Sequence, residues 1–193
     1  MDTPFLYKVW EPEGIAVVLG SSQKAEKEVI SENCKADNVP VLKRRGGGGA
    51  VVLMPGVICI TVAFISYASP SPYFFFQRIN EFIVRVLEKS FNIKGLCLQG
   101  SSDIAIRDKK ILGCSIFKSR NLFHYQGSLL VNPKLQKIDR YLKHPTREPD
   151  YRQNREHLDF VTSLVQSGYH VSAEQVKVVF DKEIANKLFR IGH

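Results

Sequence analysis

Four consecutive glycines at 46–49, set between the cations Lys43, Arg44 and Arg45 and the apolar run Ala50 to Leu53, constrain this chain more than any other feature. The stretch KRRGGGGAVVL predicts a strand, a tight glycine loop and a second strand. With no side chains at the turn, main-chain N–H groups are open to a ligand, and the adjoining cations favour an anion such as a phosphate or carboxylate. The loop lacks the Lys-Ser/Thr pair of a Walker sequence and no helix start follows it, so that reading is rejected. The alternative is a glycine-rich hairpin turn with solvated arginines.

At 193 residues and 44% hydrophobic composition the chain can bury a core, and residues 1–193 are expected to form one domain. The net charge of +8 favours an anionic ligand or an acidic partner. Nucleic acid is not the expected partner, because the charge comes without an aromatic-basic reader motif. Cys34, Cys59, Cys97 and Cys114 form no CxxC pair and follow no signal peptide, which predicts free thiols, no structural zinc and a cytoplasmic location. No apolar run approaches the roughly 20 residues of a membrane helix.

Along the chain, Phe5 to Trp10, Ile15 to Leu19, Val39 to Leu42, Ala50 to Met54 and Val57 to Ile65 read as strands, with a short helix from Ser22. Pro70 and Pro72 precede a helical stripe of Phe75, Ile79, Phe82, Ile83, Val86, Leu87 and Phe91. Strand-like runs follow at 96–98, 104–106, 111–117 and 122–131, the second and third joined by a hairpin at Arg107 to Lys109. Leu158 to Val165 and Val176 to Leu188 read as helices, the latter with a capping box of Ser172 and Gln175. About eight strand-like and four helical runs make an α/β chain.

Lys110 opens an apolar strand, and at an inward position its ammonium needs an anion. As the polar tip of a hairpin with Lys109 it needs none. Asp103, just before a strand, either positions a cation or caps a turn. Cys97 and Cys114 have apolar neighbours that suit core thiols more than nucleophiles. His124 and His157 are isolated, and Arg147, Arg152 and Arg155 in TREPDYRQNREH read as a solvated surface.

Three segments, in this order, resemble the lipoate-protein ligase and octanoyltransferase family, within the wider group that includes biotin-protein ligases. They are IAVVLGSSQKAEKEVI, KRRGGGGAV, and SDIAIRDKKILGCS followed by GSLLV, spread over about residues 5 to 165. The resemblance implies a mixed, largely antiparallel sheet flanked by helices. It implies activation of lipoate or octanoate with ATP and magnesium, then transfer to a lysine on a lipoyl domain of a 2-oxo acid dehydrogenase E2 or a glycine-cleavage H protein. By position, Lys110 takes the catalytic place. Arg44, Gly47, Gly48, Gly49, Ala50, Val51 and Val52, with Asp103, Gly113 and Gly127, take substrate or nucleotide contacts. A transferase without ATP, with Cys97 as nucleophile, is the rival, and a non-catalytic acyl-ligand or nucleic-acid binder is the alternative from another class.

The chain departs from the motifs in three places. Gly46 stands where a Ser or Thr is usual, Gly56-Val57 replaces Gly-Asn, and Gln126 replaces the His before Gly127, with His124 displaced by two. It also reads as lacking the family's first strand and helix and its small accessory domain, which some members supply as a separate chain. No metal ligands are assigned.

Overall fold

A computed structural model of the chain describes residues 5–67 and 71–187. The fold is α/β, with two sheets. Six strands, β1 (Phe5–Trp10), β5 (Val57–Ile65), β9 (Leu122–Leu130), β8 (Lys109–Ser119), β7 (Asp103–Ile106) and β6 (Leu96–Gln99), pair antiparallel in that spatial order. A smaller sheet places β2 (Ala16–Leu19) between β3 (Val41–Lys43), which runs parallel to it, and β4 (Val51–Leu53), which runs antiparallel.

Alternation along each strand divides the large sheet into two faces. One face sends Ile58, Ile60, Val62, Ile104, Leu112, Tyr125 and Leu129 into a core closed by two helices, α3 (Pro72–Phe91) and α6 (Ala173–Lys187). Helix α3 starts where Ser71 accepts the Phe74 N–H and Pro72 fixes the first turn, and it ends where Asn92 turns left-handed at φ 52°. Its stripe of Phe75, Ile79, Phe82, Ile83, Val86 and Leu87 is buried, as the spacing predicts. The Ser172–Gln175 capping box of α6 is also present, each side chain bonding the other's N–H. Pro70 and Leu188 lie outside the described residues.

The opposite face is covered by the small sheet, with α1 (Ala25–Glu28), α2 (Ser31–Ala36) and α4 (Gln136–Tyr141) around a second core of Val17, Leu19, Val52, Val57, Cys59, Tyr141 and Phe160. The single helix expected from Ser22 is thus two short ones, split where Val29 bridges Leu142. The helix expected over 158–165 is confined to α5 (His157–Phe160). Beyond it the backbone leaves the helix for the sheet: the N–H groups of Thr162, Leu164 and Val165 donate to the carbonyls of Lys110, Leu130 and Val131. Those tertiary bonds override local helix propensity. The basic segment before α5 is only partly a solvated face: Arg147 is exposed, but Arg152 is 4% exposed, lies over the Phe160 ring and donates from Nε to the Arg155 carbonyl. None of the described helices is long and apolar enough to cross a membrane.

Asp37, just after α2, ties that helix to α4. Its carboxylate accepts from Arg140 Nε at 2.6 Å and Nη2 at 2.8 Å and from the Tyr141 hydroxyl at 2.6 Å. Hydrogen bonds from Arg140, then from Tyr141, hold its carboxyl well below the usual range. A depressed carboxylate contributes stability that is complete above its unfolded pKa of about 4 and disappears as pH falls through the folded value. Asp37→Asn should therefore lower the urea midpoint at neutral pH, and the gap from the unsubstituted chain should close as the pH is lowered below about 4.

Candidate active site

The loop between β3 and β4 is not a hairpin, since β2 separates the two strands. It crosses the end of β2 instead, so close to Gly20 that a Cβ there would stand 2.1 Å from the Gly48 carbonyl oxygen. Gly48 has φ +88°, a conformation that disfavours a side chain. Arg44 holds the loop in this shape. Its Nη2 donates to the carbonyls of Gly47 at 2.7 Å and Gly49 at 2.8 Å, and Nη1 to that of Val18 at 3.3 Å. The Arg44 N–H donates to Leu19, and the Ser21 N–H to the Gly46 carbonyl.

These bonds set the direction of the remaining donors. Across a trans peptide the C=O and the next N–H point oppositely. Collecting the carbonyls of Gly46, Gly47 and Gly49 on the Arg44 and Ser21 side turns the N–H groups of Gly47, Gly48 and Ala50 the other way. Among the described residues, the N–H groups of 47–50 have no protein acceptor. They form a row of open donors. Arg44 itself is mostly enclosed, with Nε buried and unpartnered, so its charge is committed to the loop's shape.

Lys110 reaches the same sheet face through an irregularity in β8. Asp103 pairs with Gly113 and Ile104 with Leu112, but Ala105 pairs with Lys110, which leaves Ile111 as an extra residue. In a regular strand residues 110 and 113 would point to opposite faces; the bulge puts them on one side. The Lys110 side chain then lies across Gly113, where a Cβ would meet Cε and Nζ at 2.7 Å. Lys110 Nζ stands 3.0 Å from Asp103 Oδ1. Asp103, 5% exposed, also accepts from the Tyr151 hydroxyl at 2.8 Å and from Ser102 Oγ at 3.3 Å. Burial and then the Asp103 charge push the Tyr151 phenol up, so it stays a donor.

The glycine loop meets this strand two residues further on. A Cβ at Gly46 would lie 2.9 Å from Ser115 Oγ, and Ser115 shares a face with Gly113 about 7 Å away along the strand. Ammonium and bare amides therefore face one stretch of β8, with Gln126 opposite Ser115 and Ser128 opposite Gly113 on β9. His124, on the same face opposite Phe117, is held below the usual imidazole range by partial burial and then by the Arg45 charge.

Other residues singled out from the sequence fall elsewhere. Gly127 lies on the helix side, where the Tyr125 ring tips over it and a Cβ would stand 2.8 Å from the phenol oxygen. Val52 is buried in the second core, and Val51 pairs with Val18 in the small sheet. Ile111 and Leu112, the apolar residues next to Lys110, do not line the site face, because their side chains enter the helix-side core. Cys114 faces the helices, its thiol 2.8 Å from the Ser102 carbonyl and pushed up to about 12 by burial. Cys97 is on the site face, but on edge strand β6, where its thiol points at the carbonyls of Ala105 and Arg107. Tyr151 was hidden within a charged loop, and Ser115 within an apolar strand. Only its place two residues after Gly113 hinted at a shared face.

Because Arg44 acts through a planar fork, Arg44→Lys should not preserve the loop. Amide hydrogen exchange at 47–50 should quicken and the melting temperature fall, whereas an unchanged exchange pattern would mean that charge alone suffices.

The chain matches the lipoyl protein ligase A/B catalytic domain over residues 2–185. It is 30% identical over 139 residues to lipoate-protein ligase 1 of Staphylococcus aureus, covering 72% of this chain and 40% of that protein. It thus spans less than half the length of that relative. The bi-partite lipoate protein ligase of Thermoplasma acidophilum, from a structure with its E2 lipoyl domain, superposes with a TM-score of 0.81 at 21% identity, over 95% of this chain and 71% of that one. A lipoate-protein ligase A bound with ATP gives 0.77 at 21% identity, over 95% and 72%. With its glycine loop and Lys110 strand brought to one face, this chain belongs to the lipoyl protein ligase A/B catalytic domain family.

Proposed function

We propose that the chain is the adenylating core of a lipoate or octanoate ligase. The observation that carries this reading is the meeting of one ammonium, Lys110, and a row of unpartnered loop N–H groups on a single sheet face. Two anions must approach for an acyl-adenylate to form: the acid's carboxylate and the α-phosphate of ATP. A carboxylate oxygen attacks the α-phosphorus, the bond to pyrophosphate breaks, and pyrophosphate departs. Lys110 can bridge both groups and offset the charge that builds on the phosphoryl oxygens, while the loop amides fix the phosphate. Asp103 and Tyr151 hold the ammonium over Gly113 until substrate enters. In the second half-reaction a lysine amine of a lipoyl domain attacks the acyl carbon, AMP leaves and the nitrogen loses its proton.

The donor set suits ATP, since unpaired main-chain N–H groups bind phosphate oxygens. Magnesium would accompany the nucleotide. Asp103 is the carboxylate at hand, and magnesium commonly uses one or two carboxylates beside phosphate oxygens. The related structure bound with ATP, and the bi-partite ligase studied with its lipoyl domain, support a nucleotide substrate, a lipoyl-domain acceptor and an accessory subunit for this chain too. Four free thiols suit a reducing cytoplasm.

Exchange of labelled pyrophosphate into ATP, dependent on lipoate or octanoate, is the expected outcome, with or without an accessory subunit. Lys110→Ala should lower that exchange at least about a hundredfold, the scale of losing one transition-state charge partner. It should stay folded, because Asp103 retains two hydroxyl donors. Cys97→Ala should leave exchange intact. Absence of exchange under every condition would overturn the reading, and acyl transfer that needs Cys97 but not ATP would replace it with the transferase.

A further inference from the structure

Ser115 is 6% exposed, and its hydroxyl has no hydrogen-bond partner among the described residues. The oxygen keeps some accessible surface, so it is open to an acceptor that enters from that side. It lies directly under Gly46, the first residue of the glycine loop, close enough that a Cβ at 46 would stand 2.9 Å from Oγ and 3.3 Å from the Ser115 Cβ. Gly46 is not in the left-handed region, so the backbone does not require glycine there. Its neighbour does. Any side chain at 46 and the Ser115 hydroxyl would compete for one space.

We propose that Ser115 supplies the hydroxyl donor of the phosphate cradle, and that Gly46 is glycine in order to leave that hydroxyl room. This inference rests on the adenylating function proposed above and names one of its contacts. Ser115 Oγ lies on the face shared by Lys110 and Gly113 and borders the row of open N–H groups at 47–50. A hydroxyl turns freely about its C–O bond and donates to whichever acceptor approaches. Between the loop and the strand that acceptor is an oxygen of the adenylate phosphate, while the Lys110 ammonium, which lies over Gly113 two residues along the strand, spans phosphate and acyl oxygen. The acyl chain carries no acceptor and the free acid's carboxylate is the group that Lys110 takes, so Ser115, placed at the phosphate, separates the adenylate from the free acid. It is a binding contact placed on the sheet instead of on the loop.

The pair predicts reciprocal exchange. Ser115→Ala should weaken binding of octanoyl-adenylate by about tenfold, as expected for one hydrogen bond to a charged group, and leave free octanoate unchanged. Gly46→Ser alone should weaken the adenylate and lower the melting temperature, because two side chains then occupy one site. The double variant Gly46→Ser with Ser115→Ala should return adenylate affinity to within about threefold of the unsubstituted chain, since a hydroxyl is again delivered to the same gap from the other side. Calorimetric titration and ligand-free melting of all four proteins read these effects separately. Unchanged adenylate affinity in Ser115→Ala, an equal loss for free octanoate, or a double variant no better than Gly46→Ser would overturn the assignment while leaving the ligase reading intact. An unsubstituted chain that binds no adenylate would remove both.

Discussion

The site depends on one guanidinium. Arg44 donates to the carbonyls of Gly47, Gly49 and Val18, and by doing so sets which way the peptides after Gly47 and Gly49 face. A glycine tetrad left to itself has too many accessible conformations to present a consistent row of donors. Here the entropy cost is offset by hydrogen bonds to a cation that the fold has already enclosed. The arginine that looks from sequence like an anion clamp thus works one step removed, by shaping the loop whose amides are left without a protein acceptor. Gly20 completes the arrangement by having no Cβ where the Gly48 carbonyl passes.

A second constraint is the bulge at Ile111. Lys110 and Gly113 would face opposite ways on a regular strand; one inserted residue brings the ammonium over the glycine and within 3.0 Å of Asp103. The same register shift sends Ile111 and Leu112 into the helix-side core, where both are fully buried. Packing and chemistry are therefore coupled. The apolar side chains that anchor β8 against α3 and α6 prevent the strand from sliding, and a slip of one residue would carry the lysine to the wrong face. The segment 161–163 reinforces this from the other side by donating the Thr162 N–H to the Lys110 carbonyl.

The division of the sheet into two faces also sorts the thiols and tyrosines. Cys114 and Tyr125, enclosed with Asn80 beneath α3, have their ionised forms disfavoured by burial and serve packing. Tyr151 comes from a loop that sequence alone gives no reason to fold inward. It arrives on the other face because Arg152 and Phe160 pin the loop down. Asp103 consequently has a cation and two hydroxyl donors around it, and can hold Lys110 in place in the absence of any anionic ligand.

Much of this was legible from residues near one another in the chain. The strands at 5–10, 57–65 and 122–130, the α3 stripe, the cap at Ser172 and the existence of an open glycine loop all follow from local pattern, since each is set by period, capping chemistry or missing side chains. Family motifs named Lys110 and the loop together. What only the tertiary structure decided was which face each residue occupies and what lies opposite it. That β2 separates β3 from β4, that a bulge turns Lys110 inward, that Tyr151 reaches Asp103 and that Gly46 makes way for Ser115 all depend on pairings between distant segments. Register across such distances is fixed by the packing of whole faces against one another, and no local stretch of sequence contains it.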